Sequence, residues 1–135
     1  MATKWSTLII LISAATISLS WGQNRGLRHY DPKTEVTVTG TISDVQEVSG
    51  VRKGWTGTHL IVKTDAGDTD VHVGPSSYVA GKQFSFAKGD AVEVVGSKVT
   101  MAGKEVVLAR EITRGGKTLV LRNSQGIPEW SGRPQ

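Results

Sequence analysis

The sequence contains no cysteine. Disulfide staples, thiol chemistry and covalent attachment of a c-type haem are therefore excluded. Aromatic residues make up only 6% of the chain, which argues against a platform on which successive nucleic-acid bases stack. Past position 22 no segment repeats its apolar residues at helical spacing, so a helical bundle is excluded. Histidine is scarce: His29, His59 and His72 are the three. The formal charge is +4 at pH 7. Cations cluster at Arg25/Arg28, at Arg52/Lys53 and from Arg110 through Arg114 and Lys117 to Arg122, with others scattered between. That distribution reads as a solubilising surface rather than as the dense basic stripe of a nucleic-acid binder.

The one long apolar run lies at the start. "MATKWSTLIILISAATISLSWG" has an early cation, Lys4, an apolar run from Leu8 to Leu19, and small residues at Ser18, Ser20 and Gly22. This is the pattern of a secretory signal peptide. It is shorter and richer in serine than a membrane span, which needs roughly 20 apolar residues. Residues 1–22 are expected to be a signal peptide, cut near Gly22/Gln23 or at Ser20/Trp21, with retention as an anchor the alternative. The expected destination is the periplasm or the cell exterior. Export without disulfides suits a bacterial envelope.

Residues 23–34 are polar and irregular and read as a flexible leader. From Glu35 onward the pattern is that of strands. In "EVTVTGTI", Val36, Val38, Gly40 and Ile42 share a face, and the phase changes near Asp44, where Val45 and Val48 take the other parity. A strand that changes phase needs a bulge or bend. "THLIVKT" and "DTDVHVG" flank "DAGD" as a hairpin. "PSSYVAG" predicts a short helix, with Pro75 suited to its start and Gly81 to its stop. "AVEVVGSKVTM" is a second long strand with a phase change around Gly96, followed by "EVVLAREI" and a short "TLVLR". "RGGK" between the last two reads as a hairpin turn. A phosphate cradle would need a helix after it, and a strand follows instead. Tyr78, Phe84 and Phe86 are expected to plug one end of the core, and Trp130 to pin the tail.

These elements predict an all-β fold. The expected form is a small five-stranded, OB-fold-like Greek-key barrel over residues 35–122, with one short helix between strands three and four and an extra C-terminal strand. Residues 123–135 form a tail. A sandwich is the alternative. The chain resembles the small bacterial exported OB-fold proteins, and among them the periplasmic OB-like domains related to the C-terminal region of magnetosome-associated proteins. The resemblance is carried by "EVTVTGTISDV", "GTHLIVKTDAGDTDVHVGPSSY", "KGDAVEVVGSKV" and "REITRGGKTLVLRNSQGIPEWSG". It implies a ligand- or partner-binding module of the envelope and brings no catalytic residues. Some magnetosome-associated relatives carry haem on a Cys-x-x-Cys-His motif. With no cysteine here, that role is not inherited.

If the hairpin turns about Ala66–Gly67, Lys63 lies opposite Asp70, Val62 opposite Val71, Ile61 opposite His72 and Leu60 opposite Val73. Leu60, Val62, Val71 and Val73 then face the core, while His59, Ile61, Lys63, Asp70 and His72 face outward. His59 and His72 become diagonal neighbours with α-carbons roughly 7–8 Å apart, and Lys63 and Asp70 a direct charge pair. In an OB-fold this is the face on which ligands dock.

Trp55, His59, Lys63, Asp70 and His72 are thus the candidate ligand surface, bordered by Arg52 and Lys53. It can be a plain solvated face, a surface for a protein, glycan or small anion, or a site for a divalent metal on His59 and His72. A stable metal site wants three or four protein ligands. Asp70, opposite Lys63 in this register, is not expected among them, and His29 could join only if the leader folds over the face. Ser76 and Ser77 have no evident activating base. The expected function is non-catalytic binding of an envelope protein or small ligand. The alternatives are a metal-handling or redox-accessory role and single-stranded nucleic-acid binding. No cofactor is expected apart from a possible divalent metal.

Overall fold

The computed structural model describes residues 30–49 and 54–131. The signal-peptide expectation, His29, Arg52 and Lys53 lie outside the described residues. Six strands form one sheet: β1 Glu35–Ser49, β2 Thr56–Thr64, β3 Gly67–Pro75, β4 Ala91–Met101, β5 Lys104–Arg114 and β6 Lys117–Val120. Among the described residues one α-helix, α1 Ser76–Gly81, sits between β3 and β4. The antiparallel order is β3-β2-β1-β4-β5-β6. A parallel pairing, Val71 with Val107 and His72 with Leu108, joins β3 to β5. Strands β1, β2, β3, β5 and β4 therefore form a closed ring of hydrogen bonds, and β6 extends it from β5. The all-β expectation and the single helix after the third strand are met.

Both long strands change phase where the sequence pattern does. β1 shifts register between Ile42 and Asp44, and β4 shifts against β5 between Val95 and Gly96. The backbone freed at the first bulge is re-satisfied by the turn before β4: Ile42 N–H donates to the Asp90 carbonyl at 2.9 Å, and Gly89 N–H donates to the Ile42 carbonyl at 2.8 Å. Bulges sharpen twist and bend a strand, which lets one strand pair on both edges with different neighbours. Gly40 and Gly96 stand at the tightest crossings. A β-carbon on Gly40 would lie 2.2 Å from the Lys63 carbonyl oxygen, and one on Gly96 2.3 Å from that of Leu108.

The core lies inside the ring. Ile42, Leu60, Val62, Val71, Val73, Val94, Val107, Ile112 and Leu121 are all essentially sealed from solvent. Phe84 is buried, and Tyr78, Phe86 and Trp130 pack against this cluster. Trp130 lies so close to Gly74 that a β-carbon there would meet the ring at 2.7 Å. The tail is thus pinned as expected, with the Arg122 guanidinium over the same indole at 5.3 Å. Val48, by contrast, is exposed. The end of the expected leader is packed down: Tyr30 is buried and donates its hydroxyl to Glu35, whose carboxylate takes two hydrogen bonds from Arg110. At "RGGK", Gly115 and Gly116 both have positive φ, at 57° and 78°, as a tight hairpin turn requires.

Gly96→Ala is expected to lower stability by about 1–3 kcal/mol, the usual cost of forcing extra volume into a packed crossing. Gly81→Ala, at a helix end with nothing within 4 Å of the added carbon, is the matched control and is expected to leave stability unchanged or slightly raised. Chemical denaturation of the two variants checks this.

Candidate functional site

The β2–β3 hairpin sets the site, and its register differs from the sequence expectation by two residues. The observed partners are Thr64 with Gly67, Lys63 with Asp68, Val62 with Thr69, Ile61 with Asp70, Leu60 with Val71 and His59 with His72. The turn is centred on Asp65 and Ala66, not on Ala66 and Gly67. Neither Asp65 nor Ala66 has positive φ; Gly67 follows them at φ 116°. The Thr64 hydroxyl fastens the turn, accepting from Ala66 N–H at 3.1 Å and donating to the Gly67 carbonyl at 2.8 Å. Local side-chain hydrogen bonding of this kind substitutes for a glycine-centred turn.

A slip of two preserves every side chain's face. Leu60, Val62, Val71 and Val73 point inward and are buried, while His59, Ile61, Asp70 and His72 lie half-buried on the other side. What changes is the pairing. His59 and His72 are directly opposed, not diagonal, and their rings stack with centroids 3.8 Å apart and planes 18° apart. A register shift between Thr58 and His59 ends the regular pairing beside them.

The expected Lys63–Asp70 pair is not formed, because Asp68 occupies the position opposite Lys63. Asp70 instead meets Lys104, at the start of β5, with Nζ 3.0 Å from Oδ2. The parallel β3–β5 pairing makes this possible by bringing the start of β5 alongside β3. The other carboxylate oxygen, Oδ1, is 3.8 Å from His72 Nε2, too far for a hydrogen bond. It is sealed from solvent and has no donor in reach. The Asp70 side chain is 13% exposed and that of His72 22%.

His59, Asp70 and His72 each offer one ligand atom, and these atoms lie within 4.8 Å of one another. Two imidazoles and a carboxylate make a ligand set for zinc, copper or nickel. Asp70, set aside in the sequence reading, thus joins the two histidines. The remaining candidates stand apart. Trp55 is 43% exposed, with its ring edge over Gly57. Lys63 is exposed at the hairpin's far end. The Ser76 hydroxyl is engaged by Glu47 and Thr58, which ties α1 to β1 and β2. Two clefts of about 390 and 400 Å³ open elsewhere, one against Val36–Thr39 and the hairpin tip, the other beside Tyr78, Phe84 and Val120. Neither includes the histidines.

Burial disfavours the charged form of both rings. Burial lowers the His59 pKa, opposed by Asp70 and reinforced by Lys104. Burial also lowers that of His72, followed by repulsion from a charged His59 and from Lys104, again opposed by Asp70. A base whose folded pKa is depressed binds its proton first in the unfolded chain. Its contribution to stability is therefore present above the ordinary histidine value of 6.5 and is lost as pH falls below it. Metal-free protein is expected to lose stability between about pH 6.5 and 5, and His59→Ala together with His72→Ala should flatten that slope. Denaturant midpoints measured across this range check it.

Comparison with curated proteins finds no match. A family model matches residues 34–119, from the residue before β1 through nearly all of β6. That span is well over half of the sequence and contains the whole hydrogen-bonded ring with the His59–Asp70–His72 cluster. On that match, the chain belongs to the MamS/MamX magnetosome protein family.

Proposed function

We propose that this protein is a non-catalytic binding module of the bacterial envelope whose ligand is a divalent transition metal, held on the outward face of β2 and β3 by His59, Asp70 and His72. We read the ring of pairings as an OB-fold-like Greek-key barrel, in which this face is the usual docking surface. One observation carries the metal reading. Ligand atoms of two imidazoles and the Asp70 carboxylate lie within 4.8 Å of one another, and Asp70 Oδ1, 3.8 Å from His72 Nε2, has no donor in reach. An unsatisfied buried acceptor costs about 1–3 kcal/mol, and a cation at that position would remove the cost. Neutral imidazole is the form that ligates metal.

Three protein ligands leave one tetrahedral position open. Such a site suits exchange or hand-over of a metal better than permanent structural retention. Stacked rings 18° apart hold their nitrogen lone pairs in nearly parallel planes, and a shared metal has to lie close to both planes. Loading therefore turns at least one ring about χ2 and breaks the stack. Trp55 and Lys63 belong to the wider surface and would contact a partner rather than the metal.

Calorimetric titration of the purified chain with zinc, with nickel as a second probe, is expected to give one site per chain. His59→Ala, His72→Ala and Asp70→Asn should each weaken binding by at least about tenfold, since perturbing even the outer support of a metal ligand costs 10–100-fold. His29→Ala should leave it unchanged. Absence of binding, or binding indifferent to both His59→Ala and His72→Ala, would contradict the proposal.

A further inference from the structure

We propose that Lys104 is a tethered stand-in for the metal: its ammonium holds the Asp70 carboxylate in the metal-free protein and leaves when a divalent cation binds. This rests on the metal reading above and concerns the regulation of the same site.

Three observations carry it. First, Lys104 is the cation that pairs with Asp70, with Nζ 3.0 Å from Oδ2. The site's one carboxylate thus already has a counter-charge. Second, the two ends of that pair differ in freedom. The Asp70 side chain is 13% exposed and fixed on a central strand, whereas that of Lys104 is 66% exposed. An exposed ammonium on a flexible four-carbon stem can move into water at little cost. Third, Lys104 Nζ, 3.0 Å from Asp70 Oδ2, sets a positive charge beside the three ligands, and a dication arriving among them is repelled by it.

Lys104 reaches this position from a hairpin remote in sequence. It is the first residue of β5, opposite Met101, after a turn in which Ala102 holds φ 51° and Gly103 φ 77°. Its neighbour Glu105 is engaged with Lys98 at 3.2 Å, so the adjacent acid has a partner of its own. Moving Lys104 away therefore leaves the hairpin's other charge pair intact.

The opposite role is also chemically sensible. Residues around a metal often hydrogen-bond a ligating carboxylate and orient it. The two roles predict opposite signs, because an orienting residue strengthens binding and a competing cation weakens it.

The test is zinc titration of wild type, Lys104→Met and Lys104→Arg, with circular dichroism to confirm that each is folded. Removing the charge should tighten zinc binding roughly three- to tenfold, the scale set by releasing one exposed ion pair and its residual repulsion. Lys104→Arg should stay close to wild type. In wild-type protein the Lys104 ε-carbon resonance should shift on zinc addition as the ammonium enters water. Unchanged or weaker zinc binding by Lys104→Met, with wild type still binding, would overturn the stand-in role and leave the metal site standing. Failure of both wild type and Lys104→Met to bind zinc would overturn both.

Discussion

Two backbone pairings, Val71 with Val107 and His72 with Leu108, join β3 to β5. The other strand pairings in the sheet are antiparallel, and without the parallel contact β3 would be a free edge of an open sheet. With it, the side chains of Leu60, Val62, Val71, Val73, Val94 and Val107 enclose a common interior. The same contact places His72 on a strand paired on both sides and brings Lys104 to Asp70. Core and candidate site thus depend on one closure. The bulges at Ile42/Asp44 and Val95/Gly96 supply the curvature that closure needs.

The outward face of β2 and β3 differs from an ordinary solvated sheet face. Two stacked histidines and a nearly buried carboxylate occupy adjacent positions, and one carboxylate oxygen is sealed without a donor. Buried polar groups are normally satisfied. Burial also disfavours the protonated form of both rings. Each of these features is unremarkable alone. Together they bring one ligand atom from each of His59, Asp70 and His72 within 4.8 Å of one another, and the proposed metal site rests on that convergence.

Much of the fold was legible in the sequence because strand periodicity is two. Alternation separated Leu60, Val62, Val71 and Val73 from His59, Asp70 and His72 whatever the register, and the phase changes near Asp44 and Gly96 announced the bulges. Pro75 and Gly81 bounded the helix closely. The pairing of individual residues was not legible. Thr64 closes the turn through its hydroxyl, one residue before the glycine-centred turn expected from Ala66–Gly67, and that moved every partner by two. The result turned a diagonal histidine pair into a stacked one. Asp70 was missed as a ligand because it was paired with Lys63 in the expected register. Its true partner, Lys104, lies 34 positions away in the chain and reaches it only through the β3–β5 contact. Tyr30 was read as leader because nothing local marks its bond to Glu35, which Arg110 shares across the sheet.

Membership of the MamS/MamX magnetosome family comes in this chain without any cysteine. A covalently attached c-type haem has no anchor here, and the metal chemistry open to the described residues is that of imidazole and carboxylate. The central claim is that His59 and His72 share one ion. Long-range nitrogen–proton NMR of the imidazoles during zinc addition tests it most directly. The account predicts that one nitrogen of each ring shifts in step with the other, saturating at one zinc per chain as the stacked geometry is lost. Rings that keep their metal-free resonances, or a single ring that responds while the other stays stacked and unshifted, would contradict it.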